Sequence, residues 1–362
     1  MVISCEGLLQ SVIRLLSVMV FCCGCQNAKE LEHPQGESAA GKVNPSQRME
    51  SVSTVDLPKE GRALARVLAL HPSSQEVACG LSDGTVYIYG WKGKEAAEKL
   101  SGQRNELLNL SFTADGSRLF GISEDGSLLE WRWPSRETAQ HERIASNRIE
   151  AATTSADGQL VAYAIQGEYG SNTTLVKRIS DNKVLHSFEG YSTIMDLAFS
   201  RDSSLLVLGY ADNVQIATLA DGKVWWRLST PELRGVLLAP IYAVTISNDK
   251  QLLCLGTAAG EMARYVIGLG QKKGVRIDTG VGSEVDVSFM PTSSDIVFGA
   301  KDPTGSVGIW SGVEGKRPTV QGTTKDGDFI VSVAAGNQKV FSTVSLGGTI
   351  RIWDIQPQRD SK

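Results

Sequence analysis

Residues 108–116 read LNLSFTADG, and 42 residues further along the chain residues 150–158 read EAATTSADG. Each stretch is an alternating run that ends in a short polar turn containing Asp-Gly. Successive side chains of a β-strand point to opposite faces, so alternation of this kind predicts a half-buried strand. The two stretches together indicate a repeating unit made of a strand and a turn.

The same unit occurs seven times along the chain. Its first strands begin at Val67, Leu108, Glu150, Met195, Ala243, Val285 and Val331. Their turn markers are Ser73, Asp115, Asp157, Asp202, Asp249, Thr292 and Gly336, with gaps of 42, 42, 45, 47, 43 and 44 residues. A period of about 40–45 residues with four short strands per unit is typical of a propeller blade. The repeat predicts an all-β fold, a seven-bladed β-propeller of four-stranded antiparallel blades.

The third strand of several units carries a more specific pattern. The segments are DGTVYIYGW (83–91), DGSLLEWRW (125–133), AGEMARY (259–265), TGSVGIW (304–310) and GGTIRIWDI (347–355). Asp-Gly or Gly-Gly before an alternating run predicts a hairpin turn with positive φ. The last segment ends in Trp353-Asp354, and the chain resembles the WD-repeat family over about residues 51–357. The resemblance implies a family tetrad of Asp, His, Ser and Trp that is partly absent here, because residues 174–176 and 214–216 lack the aromatic.

The two ends of the repeat region complement each other. The seventh unit ends near Gln356 with room for three strands, whereas residues 51–57 form a spare alternating run before the first unit. We expect this N-terminal strand to complete the last blade, which closes the ring and removes an exposed edge.

The first 50 residues resemble a bacterial lipoprotein leader and its tether. An apolar run from Leu15 to Cys23 is too short for a membrane span, which needs about 20 residues. Its ending at Gly24-Cys25 implies a signal peptide over 1–24 with lipid on Cys25; an uncleaved anchor or a start codon placed too early remains an alternative. Residues 25–50 contain few large apolar side chains, so we expect a disordered tether there, and a disordered tail over 358–362.

Composition excludes several classes of function. A net charge of −4 over 362 residues gives no basic footprint for nucleic acid. Cys79 and Cys254 lie in apolar strand patterns and are predicted to be buried free thiols, and no cysteine or histidine spacing predicts a zinc site. The sequence therefore predicts no metal, cofactor or catalytic residue, and it assigns the turn carboxylates to capping their own backbone.

Tryptophans and insertions provide the candidate contact residues. Trp91, Trp131, Trp310 and Trp353 are predicted to share one blade position, and one of Trp225 and Trp226 is predicted to face outward. Long loops on a rigid scaffold often carry function, and the unit is lengthened at 166–172 and 229–240. In this topology both insertions belong to one face. The predicted contact residues are Glu168, Tyr169, Arg234, Leu237 and Leu238.

The favoured function is a monomeric, non-enzymatic propeller that binds protein partners at a bacterial envelope membrane, exported and held there by lipid. One alternative is an assembly subunit of an outer-membrane machine. A second is a propeller enzyme, either a lactonase-like hydrolase or a quinoprotein-type oxidoreductase, with a site in the central channel. The inward acids available to such a site are Glu150, Asp196 and Asp286.

Overall fold

A computed structural model of the chain describes residues 47–58, 63–92, 97–100, 105–167, 171–268, 274–311, 318–322, 329–336 and 339–357. All of them belong to one compact unit, Pro45–Lys362. Cys25, the predicted signal peptide and the predicted tail at 358–362 lie outside the described residues.

Seven four-stranded sheets follow one another along the chain, as predicted. The chain enters through β1 (Gln47–Asp56). Blade 1 contains β2 (Ala65–Leu70), β3 (Glu76–Leu81), β4 (Val86–Gly90) and β5 (Glu98–Leu100). Blade 2 contains β6 (Leu107–Phe112), β7 (Arg118–Ser123), β8 (Ser127–Arg132) and β9 (Thr138–Arg143). Blade 3 contains β10 (Ile149–Thr154), β11 (Leu160–Gln166), β12 (Asn172–Arg178) and β13 (Lys183–Gly190). Blade 4 contains β14 (Ile194–Phe199), β15 (Leu205–Tyr210), β16 (Val214–Thr218) and β17 (Val224–Leu228).

A short helix, α1 (Thr230–Arg234), separates blades 4 and 5. Blade 5 contains β18 (Ile241–Ile246), β19 (Leu252–Thr257), β20 (Glu261–Val266) and β21 (Gly274–Asp278). Blade 6 contains β22 (Val285–Phe289), β23 (Ile296–Ala300), β24 (Ser306–Trp310) and β25 (Thr319–Gly322). Blade 7 contains β26 (Ile330–Ala335), β27 (Val340–Ser345) and β28 (Thr349–Pro357), with β1 as its fourth strand.

The blades form a closed ring. The first strand of each blade contacts the first strand of the next, and the first strand of blade 7 contacts that of blade 1. Apolar side chains of adjacent blades pack into shared clusters; in one of them Leu68 and Val77 of blade 1 lie with Ile350 of blade 7. The core of the molecule is therefore distributed between the blades, around a central channel.

Blade 7 joins the two ends of the repeat region, which confirms the predicted closure. Strand β1 pairs antiparallel with β28, from Gln47 opposite Pro357 to Asp56 opposite Thr349. The Thr349 hydroxyl donates to Asp56 Oδ1 at 2.8 Å. The strand begins at Gln47 rather than at residue 51, so the predicted tether boundary at residue 50 is corrected: residues 47–50 are already part of the blade. The extra pairing follows from the length of β28, which offers partners as far as Pro357.

Each predicted Asp turn uses its carboxylate to order its own backbone. In blade 2, Asp115 Oδ1 accepts from the Thr113 hydroxyl at 2.5 Å and from the Ser117 N–H at 3.0 Å. These hydrogen bonds lower the pKa of Asp115 to about 2. Asp157, Asp202 and Asp249 make the corresponding bonds in blades 3, 4 and 5. The capping role predicted for these acids is confirmed.

One aromatic position of the third strand is shared by several blades, although one tryptophan was misplaced. Trp131, Trp310 and Trp353 are buried and lie opposite the second strand of their own blade. In blade 1 the same position is occupied by Tyr89, whereas Trp91 follows the end of β4 and is only half-buried. The prediction for Trp91 was wrong because the segment 83–91 extends two residues past the shared position.

Other predictions on the outer strands and thiols are confirmed. Trp225 is 47% exposed while its neighbour Trp226 is buried, as expected for successive residues of β17. Cys79 and Cys254 are buried free thiols.

Candidate interaction face of the propeller

The two ends of the ring differ in their connections. One end, here the turn face, carries the turns between first and second strands. The other end, here the hairpin face, carries the hairpins between second and third strands and the connections to the next blade. Because all pairs within a blade are antiparallel, both insertions, 166–172 and 229–240, lie on the hairpin face, as predicted.

The 229–240 insertion is a folded and anchored segment. The Ser229 N–H and hydroxyl both donate to Glu232 Oε2 at 2.7 Å, which caps the start of α1. Leu233 and Leu237 are buried in the cluster shared by blades 4 and 5. The Leu238 N–H donates to Glu261 Oε2 at 3.0 Å. The segment is held by core packing at two leucines and by hydrogen bonds at both ends.

This anchoring decides which predicted contact residues are available. Arg234 and Leu238 are exposed, the latter at 76%, whereas Leu237 is only 3% exposed and packs in the core. Leu237 is therefore corrected from a contact residue to an anchor. Neighbouring loop residues can face opposite sides, and the sequence of two adjacent leucines carried no sign of which one would be buried. Glu168 and Tyr169 lie outside the described residues.

A contact residue that sequence analysis missed is Tyr191, which is 92% exposed. It lies in the connection from blade 3 to blade 4, directly after β13. The next residues are fixed: Asn172 Nδ2 donates to the Ser192 carbonyl, and the Ala211 N–H donates to the Thr193 carbonyl at 2.9 Å. An aromatic residue in a three-residue connection, where polar residues are usual, was the signal that could have identified it.

Tyr191 and Leu238 stand on the two connections that flank blade 4. Asp212, in the hairpin of that blade, accepts from the Thr230 hydroxyl at 3.3 Å, which ties the hairpin to α1. Among the described residues, two further exposed large apolar side chains, Leu64 and Phe329, also lie in connections of the hairpin face. A rigid backbone thus presents apolar side chains at this end of the ring.

Charged side chains around the channel on the hairpin face are paired, mostly across blade boundaries. The pairs are Arg66 with Glu106 (3.2 Å), Arg148 with Glu124 (2.8 Å), and Lys301 with Glu284 (2.6 Å) and the Tyr242 hydroxyl (2.5 Å). Partly exposed pairs of this kind add little stability individually. These pairs occupy the named charges of the channel rim, so the side chains that this face offers to a partner lie outside the rim: the exposed apolar side chains and Arg234.

The three inward acids considered for an enzyme site differ in position and in role. Asp196 and Asp286 occupy equivalent positions of blades 4 and 6, opposite Gly209 and Gly299. Glu150 is the extra residue of a bulge in β10, at a different position.

Asp196 and Asp286 act as clamps between first strands. Asp196 Oδ2 accepts from the Val244 N–H of blade 5, and Asp286 Oδ2 accepts from the Val333 N–H of blade 7, both at 2.8 Å. The innermost strand of a blade is a sheet edge, so some of its backbone N–H groups have no partner within the sheet. Each of these carboxylates accepts a hydrogen bond from one N–H group of its own strand and from one N–H group of the next blade. Burial raises the pKa of Asp196 to about 7 and that of Asp286 to about 6.

Within the described residues, no three His, Cys, Asp or Glu side chains come together in a way that could hold a metal ion. His71 and His186 each bond a backbone carbonyl, those of Gly116 at 3.0 Å and Leu219 at 2.9 Å. Nor does any helix in that part of the chain have the length and apolar character needed to cross a bilayer.

Comparison with known proteins supports a WD-repeat propeller. Residues 182–214 match the family described as "WD domain, G-beta repeat". That stretch runs from β13 to the start of β16 and lacks the tryptophan, so its likeness rests on strand and turn spacing. The chain is 24% identical over 219 residues to SEC12-like protein 2 of Arabidopsis thaliana, a match that covers 56% of this chain and 53% of that protein.

Two further relatives are much longer than the matched region. The chain is 24% identical over 209 residues to apoptotic protease-activating factor 1 of Rattus norvegicus, covering 56% of this chain and 15% of that protein. It is 26% identical over 214 residues to WD repeat-containing protein 90 of Homo sapiens, covering 53% and 12%. These matches support a propeller that acts as a scaffold for protein interactions. They identify neither its partner nor its place in the cell.

Proposed function

We propose that the protein is a non-enzymatic interaction scaffold that binds a protein partner through the hairpin face, and that lipid on Cys25 holds it at a bacterial membrane. The observation that carries the proposal is the exposure of Tyr191 and Leu238 on firmly held connections to either side of blade 4. Tyrosine is enriched at energetically important interface positions, and a connection whose backbone is already held needs no backbone reordering on binding.

The attachment fits the geometry of the ring. Strand β1 begins at Gln47, opposite Pro357, on the turn face. A chain running from Cys25 therefore reaches the propeller at the turn face.

Site-specific photo-crosslinking in the cell of origin tests the partner face. A photoreactive residue is placed at position 191, at 238 or, as the matched control on an exposed outer strand, at Trp225. We expect one and the same crosslinked protein from 191 and 238 and a different pattern, or none, from 225. Identical products from all three positions, or none from 191 and 238, would contradict the proposed face.

Metabolic labelling with a clickable fatty acid, followed by membrane fractionation, tests the attachment. We expect label in the membrane-bound protein and neither label nor membrane association in Cys25→Ser. Label that persists in Cys25→Ser would remove the lipid proposal and leave the partner face untouched.

A further inference from the structure

At the turn face the central channel ends in a cavity of about 240 Å³, to which all seven blades contribute. The lining residues come from the ends of first strands and from the turns that follow them. No part of the function proposed above uses this end of the channel.

Apolar side chains of the first strands form part of the inner wall of the cavity. Leu70, Phe112, Phe199 and Ile246, from blades 1, 2, 4 and 5, line it. The Phe112 ring is fixed by edge contacts with His71 and Trp133, at centroid distances of 4.8 and 5.0 Å. A concave wall of fixed apolar side chains is typical of a small-molecule site.

Among the described residues, the lining contains one charged side chain, Arg201. It is exposed and makes no ion pair within the part of the chain that the structure describes. The nearest acid in sequence, Asp202, is held by Lys250 at 2.5 Å and by the hydroxyls of Ser200 and Ser204. The other turn acids accept hydrogen bonds from their own turns. The carboxylates of these turns stay ionised, but none of them lines the cavity, where Arg201 is the only charged side chain among the described residues.

Polar groups at the mouth are also held in place. Asn248 Nδ2 donates to the Pro291 carbonyl at 2.5 Å, so the turns of blades 5 and 6 are linked across the rim. Arg201 and Asn248 belong to equivalent turns of neighbouring blades. Both side chains line the cavity.

We propose that this cavity binds a small carboxylic acid, with its apolar body against Leu70, Phe112 and Phe199 and its carboxylate at Arg201. A cavity of about 150 Å³ lined by apolar side chains holds a benzene ring. The cavity here is larger and open at its mouth, which gives room for a substituted ring or a short alkyl chain whose carboxylate lies at the opening. The opposite face stays free for the partner, so the ligand and the partner can bind together.

Isothermal titration of the purified protein with octanoate and with 3-phenylpropanoate tests the proposal. We expect saturable one-to-one binding of at least one acid, weaker binding of the uncharged octan-1-ol, and loss of affinity as NaCl is raised. The preferred acid distinguishes an aliphatic from an aromatic natural ligand. Absence of binding by both acids would overturn the proposal.

Two pairs of variants locate the site. Arg201→Gln should weaken carboxylate binding by about three- to fivefold, as for an exposed charge pair, and leave octan-1-ol unchanged; Arg227→Gln, on the outer strand β17, is the matched control. Ala156→Phe fills the cavity and should abolish binding, whereas Ala220→Phe in an outer turn of the same face should not. Carboxylate affinity that is unchanged in Arg201→Gln would place the acid elsewhere and contradict the proposal.

Discussion

The two faces of the ring are built from the same repeat, yet they differ in what their connections do. On the turn face, Asp115, Asp157, Asp202 and Asp249 fix four similar turns with their own carboxylates. On the hairpin face, the connections vary in length and expose Tyr191 and Leu238. A turn in which side chain and backbone satisfy each other tolerates little change, whereas a connection between blades can lengthen without breaking a sheet.

Some residues of the turn face adopt the turn conformation although it is energetically unfavourable for them. Gly116 and Gly158 have positive φ in blades 2 and 3, and Ser203 and Lys250 adopt the same left-handed conformation in blades 4 and 5. Outside glycine this conformation is uncommon. The turn is therefore retained in blades 2 to 5 even where the residue disfavours it, and the variable parts of the repeat are the connections between blades on the hairpin face.

The largest expected effect is a loss of affinity for the partner when the exposed residues of the hairpin face are changed. The double variant Tyr191→Ala/Leu238→Asp should weaken binding of the crosslinked partner by about 100-fold or more, since two exposed anchors at the centre of an interface are lost. Titration of the purified partner measures it. Unfolding stability should change by less than about 0.5 kcal/mol because both side chains are exposed in the free protein.

The control for that variant is Trp225→Ala, which removes an exposed aromatic from an outer strand. Equal losses of affinity in the control and the double variant would show that the partner does not distinguish the hairpin face from the outer strands.

The second effect compares the stability contributions of two adjacent leucines in the 229–240 segment. Leu237→Ala should lower the free energy of unfolding by about 2–4 kcal/mol, because a buried leucine leaves a cavity in the cluster between blades 4 and 5. Leu238→Ala should lower it by less than about 0.5 kcal/mol. Chemical denaturation measures both, and similar values for the two variants would contradict the placement of the segment.

The third effect concerns the channel between the faces. Because the folded-state pKa of Asp196 is raised to about 7, its stabilising contribution is present at acid pH and is lost as pH rises from about 4 to about 7. Asp196→Asn cannot titrate, so relative to the variant the wild type should lose about 1–3 kcal/mol over that range. Denaturation at a series of pH values checks this, and a constant difference between the two proteins would contradict the buried clamp.

The smallest effect lies in the turns and has the opposite pH dependence. Hydrogen bonds from Ser247 and Gln251 lower the pKa of Asp249. Its contribution is therefore present above about pH 4 and is lost as pH falls below that value. Asp249→Ala should cost about 0.5–1 kcal/mol at pH 7 and close to nothing near pH 2. A cost that is equal at both pH values would mean that the carboxylate does not cap the turn.

Much of the fold could be predicted from the sequence because its determinants are local and repeated. Alternation, turn residues and a period near 43 residues specify each blade, and the spare strand specifies the closure through pairing with β28. The wrong prediction for Trp91 shows what the sequence does not specify. The pattern predicts that a third strand exists in blade 1, but the register of the strand pair decides that Tyr89, and not Trp91, lies opposite Val77.

The candidate site was predicted less well, since exposure is a property of packing. Leu237 and Leu238 have the same chemistry, and only the cluster shared by blades 4 and 5 buries one of them. Tyr191 was missed because its connection has no extra length. The cavity at the turn face was equally hidden, as its wall is assembled from residues of all seven blades.

Hydrogen–deuterium exchange of the full-length protein, alone and with the crosslinked partner, tests most directly whether the hairpin face is the binding face. We predict partner-dependent protection of the Tyr191 connection and of the 229–240 segment, with the Asp turns of blades 2 to 5 unchanged. Protection confined to those turns, with no change in the two connections, would contradict it.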